Sequence, residues 1–130
     1  MKLLVGYDGS NSAKEALVLA VKYAKALDAT VDIVTSMQTG TVEQTEEIQQ
    51  VKKDLEAAEK SVRDKEIPVE SHLLIRGMTP GEDLVAFARE SGAENIFIGV
   101  KRRSKVGKLL FGSNAQYVIL KAPCPVTTVR

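Results

Sequence analysis

Five short runs of β-branched and aliphatic residues, separated by longer stretches with a helical repeat, constrain this chain more than any other feature. Residues 3–7, 30–34, 69–75, 95–100 and 126–129 read as strands, each bounded by turn-forming residues. The first and fourth are almost continuously apolar, as strands covered on both faces must be. The third alternates, with Val69, Leu73 and Ile75 set against Glu70, His72 and Arg76, which suits a strand nearer an edge. Helical patterns fall between them, so the order is β-α-β-α-β-α-β-loop-α-β. Strands alternating with helices require parallel pairing through right-handed crossovers. The expected fold is an α/β three-layer sandwich with a five-stranded parallel sheet and four helices, occupying residues 1–130 as one domain. A chain of 130 residues is long enough to bury the core that fold needs.

The helices are marked by their ends. Ser12 with Glu15, Thr79 with Glu82, and Ser113 with Gln116 fit the capping box, in which a hydroxyl and a side chain three residues on satisfy free N–H groups. Behind Ser12, Ala13, Ala16, Leu17, Ala20, Ala24 and Leu27 form one apolar stripe. Pro80 follows Thr79 at the first helical position, and Gly92 supplies the stop. Ala115, Val118, Ile119 and Ala122 carry the stripe of the last helix, which ends at Pro123. A longer helix spans residues 43–64, with Ile48, Val51, Leu55, Ala58 and Val62 facing a core. Residues 35–44 read as a loop.

Charge and cysteine content exclude several function classes. A net charge of +1 argues against bulk nucleic-acid or membrane binding, so electrostatic function must be local. Cys124 is the sole cysteine, which excludes an internal disulfide and a cysteine-based metal cluster. It sits between Pro123 and Pro125 with no feature that would activate a thiolate, and reads as structural. The apolar run at the N-terminus is too short for a signal peptide, and no run approaches a membrane span, so the expected compartment is the cytoplasm. His72, the one histidine, has no Cys, Asp or Glu at ligand spacing and reads as a surface or interface side chain.

Local electrostatics concentrate in residues 99–113. The fourth strand runs out at Gly99, Gly112-Ser113-Asn114 opens a helix, and Lys101, Arg102, Arg103, Lys105 and Lys108 lie between. Free N–H groups at a helix start, a glycine and nearby cations make an anion site, most often for phosphate. Gly107-Lys108 is not a P-loop, because Arg102 stands where the earlier glycine belongs and Leu109 where Ser or Thr belongs. Lys108 either neutralises phosphate or is solvated. As a nucleic-acid patch the segment lacks interleaved aromatic residues. In parallel sheets ligands sit beyond the carboxyl ends of the strands at the topological switch point. The loops after the first, second and fourth strands meet there, bringing Asp8-Gly9-Ser10, Ser36-Met37-Gln38 and the basic segment to one crevice. Asp8 either meets a ribose hydroxyl or a phosphate-bound metal, or only closes a turn. Ser113 serves as helix cap, as phosphate ligand, or as both.

These residues resemble the universal stress protein family in its single-domain form, over essentially the whole chain. The resemblance rests on Val5-Gly6-Tyr7-Asp8-Gly9-Ser10, on Gly77-Met78-Thr79-Pro80, and on Ala122-Pro123-Cys124-Pro125-Val126. Its most specific element is the nucleotide loop G-x2-G-x9-G-[ST]. Gly99 matches the first glycine, and Gly112-Ser113 the closing pair at the correct separation. Arg102 replaces the middle glycine and Lys101 the histidine usual before it. The resemblance implies a Rossmann-like regulatory or stress-response module rather than a metabolic enzyme, in a family where some members bind ATP or AMP, with or without magnesium, and others do not. It implies that Asp8 faces the ribose or adenine side and that the backbone at Ser36 reads the adenine edge. Ile98, Gly99 and Val100 would pass beneath sugar and phosphates, with Gly112, Ser113 and Asn114 on the phosphate oxygens. Arg102 compensates for the lost glycine as a bidentate phosphate partner. A homodimer through the last strand is also implied. The alternatives are a nucleotide-free dimerising interaction protein and a slow ATP hydrolase.

Overall fold

A computed structural model of the chain describes residues 1–38, 45–100 and 112–130, with the backbone alone at 102–103 and 109–110. The elements are β1 (Lys2–Gly6), α1 (Asn11–Leu27), β2 (Thr30–Ser36), α2 (Thr45–Arg63), β3 (Val69–Leu74), α3 (Pro80–Ser91), β4 (Asn95–Gly99), β5 (Arg102–Arg103), β6 (Leu109–Leu110), α4 (Ser113–Lys121) and β7 (Val126–Val129). Five strands form one sheet in the order β3-β2-β1-β4-β7, with every pair parallel. The fold is the expected α/β sandwich with four helices. As its alternating pattern indicates, β3 is an edge strand.

The period of two along each strand divides the core. Leu3, Val5, Val31, Ile33 and Phe97 point to the side covered by α1 and α2. Leu4, Val34, Ile96 and Ile98 point to the side covered by α3 and α4. The chain runs outward from β1 through β2 to β3, then returns to the other side of β1 for β4 and β7. The switch point therefore lies at the carboxyl ends of β1 and β4.

Several local expectations need correction. The cap of α1 is Ser10, not Ser12: Ser10 Oγ accepts from the Ala13 amide at 3.2 Å, and Ser10 has the extended backbone of a cap. Ser12 is buried within the first turn and touches Ser10 Oγ at 3.2 Å. The cap of α4 is Gly112, without a side-chain cap bond, so Ser113 is the first helical residue. Thr79 does cap α3: its Oγ1 accepts from the Glu82 amide and donates to Glu82 Oε1 at 2.7 Å. Thr35 and Ser36, expected in a loop, extend β2, because the Met37 amide continues the pairing to the Leu74 carbonyl at 2.9 Å. The expected start of α2 at residue 43 lies outside the described residues. Within the segment read as a plain loop, β5 and β6 form an antiparallel pair, Arg102 opposite Leu110 and Arg103 opposite Leu109.

Candidate functional site

Beyond the carboxyl ends of β1 and β4 lies a cavity of about 260 Å³. Val34, Leu84, Ile98, Ala115 and Val118 give it an apolar floor, while Tyr7, Asp8, Thr35, Ser36 and Asn114 bring polar groups to it. Its size falls just below the roughly 300–1,000 Å³ usual for ligand pockets, and its mixed lining is of the usual kind.

Each polar group is held by its element. The Tyr7 amide donates to the Val34 carbonyl at 2.8 Å, and Thr35 Oγ1 donates to the Tyr7 carbonyl. Successive peptide groups alternate sides along a strand. The Val34 carbonyl turns toward β1 and the Met37 amide toward β3, so the N–H and C=O of Ser36 both face the β1 side. There β1 has already ended, and the two groups open onto the crevice. Ser36 Oγ points elsewhere and donates to Asp83 Oδ2 at 2.7 Å.

Asp83 is fully buried in α3. Its Oδ1 accepts from Arg76 Nε at 2.6 Å, and Arg76 Nη1 reaches both oxygens of Glu90, at 3.0 and 2.8 Å. Hydrogen bonding to Glu90, and then to Asp83, holds the guanidinium pKa above its usual value. The arrangement ties the end of β2, the β3–α3 connection and the body of α3 together. Asn114 Oδ1 accepts from the Gly81 amide at 2.9 Å, which fixes the start of α4 against the start of α3. A Cβ on Gly81 would lie 2.8 Å from the Asn114 carbonyl oxygen, so only glycine permits this approach. The Tyr7 phenol is pushed above its usual pKa, first by burial and then by the negative charges of Asp54 and Asp8.

Five of the expected residues, Asp8, Ser36, Ile98, Gly99 and Asn114, line the cavity together. Asp8 also closes the turn before α1, since its Oδ1 accepts from the Ser10 amide at 2.9 Å. Gly112 and Ser113 immediately precede Asn114 at the start of α4, outside the lining. Val100 is buried toward β7, its amide donating to the Val129 carbonyl at 2.6 Å. Arg102 lies in strand β5, opposite Leu110 of β6. Its side chain and those of the other expected cations, Lys101, Arg103, Lys105 and Lys108, lie outside the described residues. The sequence reading missed the opening of α3, where Pro80 and Gly81 form one wall. The Thr79-Pro80 cap was its signal, but only the strand order shows that this helix starts beside the crevice. It also misjudged His72, whose Nε2 lies 3.0 Å from Asp32 Oδ1.

The model of the universal stress protein family matches residues 1–130. The chain belongs to the universal stress protein family. A universal stress protein from Thermus aquaticus is 35% identical over 135 aligned residues, covering 98% of this chain and 97% of the relative. The structure of a universal stress protein from Archaeoglobus fulgidus superimposes with a TM-score of 0.89 at 38% identity, covering 100% of this chain and 98% of that one. A second structure from that organism, in complex with dAMP, gives a TM-score of 0.85 at 34% identity over the same shares of the two chains. This universal stress protein thus shares its fold with relatives of nearly equal length.

Proposed function

We propose that the crevice binds an adenine nucleotide, ATP or AMP, and that the protein is a regulatory stress-response module rather than a metabolic enzyme. The observation that carries this reading is the pairing of two opposed features. The Ser36 N–H and C=O offer one donor and one acceptor to a base edge. The start of α4 has no side-chain cap among the described residues, leaving its first amides suited to an anion. The dAMP complex of the Archaeoglobus fulgidus relative supports the same class of ligand.

In this reading adenine lies on the apolar floor against Ser36, and Asp8 faces the ribose. Ile98 and Gly99 run beneath the sugar, with Val100 holding the end of β4 to β7. Gly112, Ser113 and Asn114 present amides to phosphate oxygens. Arg102 and its cationic neighbours neutralise the phosphates where related loops carry a glycine, and with ATP a magnesium ion shares that charge. The compartment is the cytoplasm.

Calorimetric titration with ATP, AMP, GTP and adenosine, with and without magnesium, tests the proposal. Saturable binding of adenine nucleotides is expected, and none at millimolar ATP would overturn the reading in favour of a nucleotide-free interaction protein. Arg102→Ala is expected to weaken ATP by about 1.5–3 kcal/mol, the value of a charged hydrogen bond, and adenosine hardly at all.

A homodimer through β7 completes the proposal. Pro125 and Val129 turn their carbonyls toward β4, where the Ile96 and Val100 amides donate to them. Strand alternation then directs the Val126 and Thr128 amides outward, along an edge that a second copy can pair. The helix leading into β7 exposes Tyr117, Ile119 and, at 78%, Leu120.

A further inference from the structure

We propose that Asp32, Glu70 and His72 form a binding site for a divalent transition metal of the zinc class, independent of the nucleotide crevice. The register places Asp32 of β2 opposite Glu70 of β3, and Val34 opposite His72. All three side chains therefore share the sheet face covered by α3. One ligand atom from each residue can be chosen so that all lie within 4.8 Å of one another. His72 Nε2 is 3.0 Å from Asp32 Oδ1 and 3.8 Å from Glu70 Oε2. The imidazole is backed by the Phe87 ring, centroids 4.8 Å apart, which limits its freedom to turn away. One imidazole and two carboxylates from adjacent strands suit zinc, with a further position left for water.

A second observation points to a cation as partner. Asp32 is only 5% exposed, and its Oδ2 is buried without a hydrogen-bond donor among the described residues. A buried carboxylate oxygen left in that condition is costly unless positive charge lies close by. The Lys2 ammonium stands 3.8 Å away, beyond hydrogen-bond reach, on a side chain 42% exposed. It gives Asp32 a diffuse counter-charge and can withdraw into water when a metal arrives. Glu70, 77% exposed at the mouth, can close over the ion as the outer ligand. The site lies toward the amino ends of the strands. Asp32 precedes Ser36 by four residues, or about 13 Å at roughly 3.3 Å per residue. Binding of Zn²⁺ here therefore does not depend on the nucleotide reading.

The test uses the untagged 130-residue protein carrying Cys124→Ser, which removes its one competing thiol. Because His72 is the single histidine, its ring signals in nuclear magnetic resonance report directly on coordination. Zn²⁺ should shift them saturably at one equivalent near pH 7.5 and raise the melting temperature. Co²⁺ should give visible d–d absorption of low coordination number. His72→Gln and Asp32→Asn should each lower Co²⁺ affinity by more than the roughly 10–100-fold that accompanies loss of a supporting partner. Glu70→Gln, at a side chain 77% exposed, should weaken it by about tenfold. Lys2→Gln should tighten it, since the ammonium competes for Asp32. Imidazole signals unmoved at millimolar Zn²⁺ would overturn the proposal. So would metal-dependent stabilisation that persists in both His72→Gln and Glu70→Gln.

Discussion

Gly99→Ala should be among the most damaging single-methyl additions in this chain, and ligand should have no part in the damage. A Cβ at Gly99 would fall 2.5 Å from the Ser12 carbonyl carbon, 2.6 Å from the Ala13 nitrogen and 2.6 Å from Ser12 Oγ. Ordinary contact begins near 3.4 Å, so the first turn of α1 would have to retreat by about 0.9 Å, the difference between 3.4 and 2.5. Two of the three obstacles are backbone, and no rotamer change relieves them. Retreat is resisted by the buried stripe of Ala13, Ala16, Leu17, Ala20, Val21 and Ala24. Overpacking costs about 1–3 kcal/mol, and a backbone obstacle places this case near 3. At roughly 2–8 °C per kcal/mol across small domains, the melting temperature should fall by about 10 °C. Urea denaturation of ligand-free protein, followed by circular dichroism, measures the change as a lower midpoint at unchanged slope. Gly112→Ala is the control: a Cβ there meets nothing within 4 Å, and its cost should stay at about 1 kcal/mol or less. Ser12→Ala on the Gly99→Ala background should recover little, because it clears only the hydroxyl. Gly99→Ala stability within about 0.5 kcal/mol of wild type would refute the close approach of α1 to β4. It would also restore phosphate contact as the sole reason for this glycine.

Two further outcomes follow from the edges of the same site. The Tyr7 phenol has a raised folded-state pKa, so its protonated form contributes stability that is complete below the unfolded value of about 10 and is lost as pH climbs through the folded value; urea midpoints above about pH 10 should fall more steeply for wild type than for Tyr7→Phe, and parallel curves would refute the shift. The dimer reading predicts that Thr128→Pro, which removes an outward amide without touching the bonds to β4, halves the sedimenting mass while leaving the far-ultraviolet spectrum intact; a wild-type protein that sediments as a monomer at tens of micromolar would refute it.

Much of this architecture was legible in the sequence because its signals are local. A strand buried on both faces must be an apolar run, and β1 and β4 are. Thr79-Pro80 and Gly92 bracket α3 because caps involve only neighbours in sequence. The spacing of Gly99, Gly112 and Ser113 likewise survives without coordinates. What failed depends on pairing. Ser10 and Ser12 both suit a cap, and the choice is made by the burial of Ser12 where α1 presses on β4. Thr35 and Ser36 are polar and look like loop, yet the ladder to β3 continues through them. Asp32 and His72 are 40 positions apart, and only the register of β2 on β3 makes them diagonal neighbours. Strands of two residues, such as β5 and β6, have no periodicity to detect.

The role of Ser36 shows how the buried network and the crevice depend on one another. A serine at the end of a strand ordinarily has a hydroxyl free to bond its own backbone or a ligand. Here the hydroxyl is committed to Asp83, whose other oxygen is committed to Arg76. Ser36 therefore meets the crevice only through its N–H and C=O, whose direction is set by the ladder on either side. A backbone donor and acceptor held this way lose little freedom on binding, which is the condition under which contacts appear as affinity. Buried Asp83 is tolerable because Arg76 and Ser36 satisfy it, and removing one partner of such a buried pair typically costs about 3–5 kcal/mol. The same carboxylate thus fixes α3 against the sheet and keeps the crevice-facing end of β2 in place. That explains why a charged residue stands on the buried face of a helix whose other inward positions are Gly81, Leu84, Val85 and Ala88.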